Sequence, residues 1–213
     1  MSTLLRSLFL YSCAVLVLAG CSAIPDKPPR SIRYDFGPGP TTAAPAAAQP
    51  LLEPLVLTEV ETSSAWDGSP LLYRLGYADG NQLRPYAEAR WSAPPPQLIR
   101  QRLRELLSRQ RPVLDSGESS ALARADGKMP RVLRLHLEEF SHWFETPGES
   151  WGLLRLRATL TENTPAGERL LAQRSVAVRQ QAPTPDAPGG VRALAAATDV
   201  AAEEIAQWLQ QQP

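Results

Sequence analysis

The residue whose type and position most clearly suggest chemistry is Cys21, reached through Leu18-Ala19-Gly20. Small residues ahead of a cysteine let a signal protease accept the strand, and a thiol at the first mature position can receive lipid. Upstream, Arg6 supplies a positive n-region and Leu8 to Leu18 an apolar core of signal-peptide length. That core is shorter than the roughly 20 apolar residues a spanning helix needs. Leu18 to Cys21 therefore reads as a lipobox, residues 1–20 as a lipoprotein signal peptide, and Cys21 as the carrier of acyl chains, palmitate among them. Cysteine use agrees: Cys13 leaves with the signal, so the mature chain keeps one thiol and forms no internal disulfide. Each buried methylene stabilises attachment by about 0.8 kcal/mol, and two or more chains make it durable. Ser22 stands where an aspartate would signal inner-membrane retention, so the expected address is the outer membrane, facing the periplasm.

Other candidates for chemistry are thin. His136 and His142 flank Glu138 and Glu139; in a strand that stays extended, His136, Glu138 and His142 share a face, but the imidazoles lie roughly 20 Å apart. One zinc ion does not reach both, and the pair reads as polar residues on a solvated strand. Gly117-Glu118-Ser119-Ser120-Ala121 lacks the last glycine of a nucleophile elbow and a strand before it. Gly37-Pro38-Gly39-Pro40 lacks the Gly-Lys and helix of a phosphate cradle. The expectation is a protein that is not an enzyme, with no metal site and no cofactor beyond the covalent lipid on Cys21. Losing Arg6 with the signal leaves 21 of the 22 basic residues against 22 acidic ones, which offers nothing to nucleic acid.

Aromatic residues offer a different lead. Trp66, Tyr73, Tyr77, Tyr86 and Trp91 are interleaved with Arg74, Arg84 and Arg90. They either pack a core or form a partner surface, since Trp, Tyr and Arg are enriched at interface hot spots. On the second reading, Trp66, Tyr73, Arg74, Tyr86, Arg90 and Trp91 make the contact. A double replacement of Arg90 and Trp91 by alanine is then expected to weaken complex recovery while melting stays cooperative. An exposed strand edge in this stretch would accept a partner's strand.

These residues need elements to hold them. Residues 21–31 carry the acylated cysteine and a Pro-rich tether, and residues 32–213 form the domain, with an Ala/Pro-rich loop at 37–50. Ile32 to Phe36 alternates like a strand that pairs with the domain, and Leu55 to Val60 is apolar enough for the interior of a sheet. Leu71–Leu75 and Tyr86–Trp91 flank a turn at Asp79-Gly80-Asn81 and predict a hairpin. Ser92 is the expected cap of a helix with Leu98, Ile99, Leu103, Leu106 and Leu107 inward and Arg100, Arg102, Arg104 and Glu105 on the other faces. Val132–Phe140, Trp151–Thr161 and Arg169–Arg179 form a meander, the last with Leu170, Ala172, Val176 and Val178 on one side. A final helix presents Leu194, Ala197, Ala201, Ile205, Trp208 and Leu209. The expected fold is α/β in two layers (α+β), a mostly antiparallel sheet with two helices on one face; its other face is solvated or covered by a partner.

In order and spacing, these pieces resemble one family. Leu71-Leu72-Tyr73-Arg74-Leu75, Leu83-Arg84-Pro85-Tyr86 and Ala89-Arg90-Trp91-Ser92-Ala93-Pro94-Pro95, then the helix with Leu98, Arg102 and Leu103, are similar to the ABC-type transport auxiliary lipoproteins, the PqiC-like group. Tyr34-Asp35-Phe36-Gly37-Pro38 and Leu55–Val60 fit the same pattern, while the insertion at 41–50 departs from it. The resemblance implies a fold like the N-terminal domain of TolB and a periplasm-facing accessory subunit of an MCE-type lipid-transport system, with a part in membrane integrity. The implied partners are the membrane, through the acyl anchor, and an MCE-domain protein of an ABC transporter; a homo-oligomer is left open. A second reading is a periplasmic module that holds the transported lipid itself, which requires an apolar cavity between helices and sheet.

Overall fold

Along residues 154–160, Leu154, Leu156, Ala158 and Leu160 alternate with Arg155, Arg157 and Thr159, which sorts an extended chain into an apolar and a polar face. The computed structural model describes residues 30–39, 52–115 and 129–212 and realises that sorting in its longest strands. Its strands are β1 (Ile32–Tyr34), β2 (Leu55–Thr62), β3 (Pro70–Leu75), β4 (Gly80–Trp91), β5 (Val113–Leu114), β6 (Arg131–Thr146), β7 (Glu149–Thr164) and β8 (Gly167–Gln181). Its helices are α1 (Gly76–Asp79), α2 (Pro95–Leu107) and α3 (Ala187–Gln210). The signal segment, Cys21, the tether to residue 29, the loop from residue 40 to 51 and Gly117–Ala121 lie outside the described residues.

Strand β6 organises the sheet. One edge pairs along its length with β7, which pairs with β8, and this is the expected antiparallel meander. The other edge is shared by two strands: β2 runs parallel to residues 131–137, and β3 runs parallel to residues 142–144. Beyond β2 lies β5, and beyond β3 lie β4 and then β1. The sheet is therefore mixed, with parallel pairing for β1, β2, β3 and β5 and antiparallel pairing in the β3–β4 hairpin and the meander.

Both long helices cover one face. Helix α3 begins at Asp186, whose carboxylate accepts the Gly189 amide, and lays Ala193, Leu194, Ala197, Ala201 and Ile205 inward. Gly152 of β7 has Ala193 backbone 2.7 Å from where a Cβ would stand, so glycine lets the helix settle directly onto the strand. Helix α2 starts two residues later than expected, because Ser92 is not its cap. The Ser92 amide donates to Tyr34 O (2.7 Å), prolonging the β1–β4 ladder, and the extended Pro94 precedes Pro95 and Pro96 at the helix start. The opposite face carries a small cluster of Val56, Leu114 and Val132 at one end. Elsewhere on it Arg155 and Arg157 pair with Glu138.

Two irregularities move side chains off their expected places. Leu137 pairs with Leu156 but Glu139 pairs with Arg155, so Glu138 is an extra residue in β6 and flips the phase of everything after it. His136 consequently lies on the open face, and His142 points under the helices and is fully buried. The shared solvated face expected for the histidines does not form. Leu170 pairs with Thr161 after a second register shift and is 61% exposed, off the apolar row it was expected to join.

Candidate partner-binding site

Strands β3, β4 and the second half of β6 bring the aromatic and arginine residues together. Tyr73 stands opposite His142 on the helix side, and Arg74 opposite Trp143 on the open side. The Arg74 guanidinium binds both carboxylate oxygens of Glu139, each at 3.2 Å, and donates to Gly80 O (3.1 Å) and Asn81 O (3.3 Å). Ser141 Oγ donates to Glu139 at 2.6 Å. This fork ties the α1–β4 junction to β6. Gly76 and Gly80 bracket α1 because the Trp143 indole lies beneath them, within 2.3 and 2.6 Å of where their Cβ atoms would be. Trp143 Nε1 donates to Glu145, which also pairs with Arg179, and Arg179 lies 4.3 Å over the Trp151 ring.

On the helix side the same strands build an aromatic stack. Tyr73 meets Tyr86 at 4.7 Å and Phe144 at 6.0 Å, and His142 meets Phe144 at 4.4 Å. Tyr86 OH and His142 Nδ1 share a hydrogen bond of 2.8 Å, while His142 Nε2 is buried with no hydrogen-bond partner among the described residues. Gly190 of α3 lies flat on the imidazole; a Cβ there would be 2.4 Å from Nδ1. Burial pushes the His142 pKa down to about 4, against a weaker upward pull from Asp186, so the ring is neutral. Burial, aided by Tyr73 and Asp186, pushes the Tyr86 phenol up.

The six expected contact residues thus divide. Trp66 and Trp91 are 4% and 2% exposed; Trp91 packs against Phe36 and Phe140, and both indoles belong to the core instead of a contact surface. Tyr73, Tyr86 and Arg74 are part-buried and hold the β3–β4 hairpin, and Arg90 Nη1 donates to Tyr86 O at 3.2 Å. What the group displays is the outer edge of β4: β1 pairs only with Ala89–Trp91, so residues 81–88 present an edge that pairs with no strand among the described residues.

Arg102, expected on an outer helix face, is also buried. It binds Phe36 O (2.5 Å) and Asp199 (3.2 Å), joining the segment after β1 to both long helices. Burial holds the Asp199 carboxyl above the usual range, with Arg102 opposing. Beside Arg102 lies a cavity of about 170 Å³ lined by Asp35, Phe36, Ser92, Leu98, Gln101 and Glu105, too small and too polar for a lipid chain. Glu139, Ser141, Trp143, Glu145 and Arg179 were missed from sequence. Their grouping depends on the Glu138 bulge, which residue types alone do not mark.

A family model described as "ABC-type transport auxiliary lipoprotein component" matches residues 34–206, from β1 to the last turns of α3. The chain belongs to that family. As a member of the auxiliary lipoproteins of ABC-type transport, it shares their membrane-anchored character. Its fold is similar to that of a Xanthomonas campestris protein of family DUF330, at 16% identity and TM-score 0.62, covering 79% of this chain and 89% of that one. An uncharacterized protein is similar at 13% identity and TM-score 0.59, covering 85% and 99%. Both likenesses carry the two-layer fold alone. The comparison with curated proteins returned no match.

Proposed function

We propose that this auxiliary lipoprotein is the outer-membrane-anchored, periplasm-facing docking subunit of an MCE-type ABC lipid-transport system, acting by binding and not by catalysis. The observation that carries the reading is the family match over residues 34–206, downstream of the lipobox at Leu18–Cys21. Acyl chains on Cys21 hold one end, the Pro-rich tether gives reach, and the domain grips the MCE protein through the β3–β4 hairpin. There the outer edge of β4 along residues 81–88, unpaired among the described residues, offers main-chain donors and acceptors, and Arg74 and Tyr86 fix its position. Packing favours docking over holding the cargo, because Ile99, Leu103, Leu133 and Leu194 fill the layer between helices and sheet at 0% exposure.

Genetics gives a direct test. Deletion of this chain should weaken the outer-membrane barrier as much as deletion of its MCE protein, with no further loss in the double deletion. Cys21→Ser, which removes the anchor, should fail to complement. An additive double phenotype would place the chain outside that system.

A further inference from the structure

The start of β2 is flanked by two arginines. Leu55 lies in register between Val113 of β5 and Arg131 of β6. Arg111 ends the turn after α2, where its amide donates to Leu107 O (3.1 Å), and the neighbouring Pro112 O accepts the Leu55 amide (3.0 Å). Arg111 is 9% exposed, and Arg131 is half-buried. Arg111 Nε is buried with no hydrogen-bond partner, and neither guanidinium forms a salt bridge or side-chain hydrogen bond with the described residues.

Elsewhere the sheet treats arginine differently. Arg74, Arg134, Arg155, Arg157, Arg169 and Arg179 each meet a glutamate. At the start of β2 the charge beside Arg111 has the same sign. Burial and the Arg131 charge push the Arg111 pKa down, against a weaker upward pull from the exposed Glu53. A buried charge without a partner is costly, so a counter-ion that reaches it is held firmly. Two guanidiniums against the one Glu53 carboxylate leave a positive surplus for an anion to balance. Guanidinium is weakly hydrated, and its planar fork matches phosphate oxygens.

We infer that Arg111 and Arg131 form a phosphate-binding site at the start of β2, with Arg111 the buried anchor and Arg131 the outer contact. A phospholipid headgroup and free inorganic phosphate share the chemistry it recognises. Arg131 is the first residue of β6, whereas the β3–β4 hairpin meets that strand at residues 142–144, so the site stands apart from the proposed docking edge.

Calorimetric titration of the acylated full chain in a neutral, phosphate-free detergent tests the site. The probes are inorganic phosphate, the diester glycerophosphoglycerol and acetate, at constant ionic strength. Phosphate should bind and should raise the melting temperature. Arg131→Gln, melting cooperatively, should weaken that binding at least about tenfold. Arg111→Lys, which keeps the charge and loses the fork, should weaken it as well. Arg33→Gln, at an exposed position of β1, should leave it unchanged. Tighter binding of the diester would assign the site to lipid headgroups, and tighter binding of inorganic phosphate to the free ion. Acetate binding as tightly as either phosphate, or equal phosphate binding by Arg131→Gln and the unaltered chain, would overturn the inference.

Discussion

At the scale of single residues, His142 makes the sharpest prediction. Its folded pKa of about 4 lies below the unfolded value of 6.5, so between those values the unfolded chain binds more protons. Stability should be intact above pH 6.5 and fall steadily as pH drops toward 4, by about 3 kcal/mol from this group alone. Urea midpoints at pH 7 and pH 4.5 measure the slope, and the double variant His142→Leu/Tyr86→Phe should flatten it. Gly190 gives an independent check. Alanine in a helix interior usually stabilises by up to about 1 kcal/mol over glycine, but here its Cβ would sit 2.4 Å from the imidazole. Gly190→Ala should instead destabilise by about 2 kcal/mol, read as a lowered melting temperature. Trp91→Ala should cost about 3–5 kcal/mol, because the ring is core. The Arg90/Trp91 double replacement would then lose partner recovery through unfolding, whatever the interface. Sequence spacing placed these aromatics in one neighbourhood, but burial is a property of the assembled sheet and was not readable from residue type.

At the scale of elements, the Glu138 bulge decides which face each later residue of β6 occupies. Deleting Glu138 would remove the extra residue and leave Leu137 opposite Leu156 and Glu139 opposite Arg155 in strict alternation, so Phe140, His142 and Phe144 would stay under the helices. The deletion should therefore preserve cooperative unfolding by circular dichroism. Glu138→Ala keeps the extra residue and loses only exposed pairs with Arg155 and Arg157, so it should cost under about 1 kcal/mol. Loss of cooperative unfolding in the deletion variant alone would show that the extra residue itself is required. Strand existence was legible here, since Leu133, Leu135 and Leu137 alternate cleanly. The bulge was not, because one extra residue leaves no compositional mark. The start of α2 was misplaced for a related reason: Ser92 has the right chemistry for a cap, but its amide is taken by the β1 ladder.

At the scale of the whole molecule, two helices on one face of a sheet followed from the apolar rows at 98–107 and 194–209 and from the meander. The parallel pairing of β2 and β3 along one edge of β6 was not foreseen, because long-range pairing partners leave no local signature. The order of tyrosine, arginine and proline motifs carried the family, which the match over residues 34–206 confirms. The central claim, that the domain docks onto an MCE transporter, is tested most directly by co-purification. The C-terminally tagged lipoprotein, extracted in mild detergent from its own host, should bring down an MCE protein with its permease and ATPase. Recovery of the lipoprotein alone, under conditions that preserve other envelope complexes, would contradict the docking role.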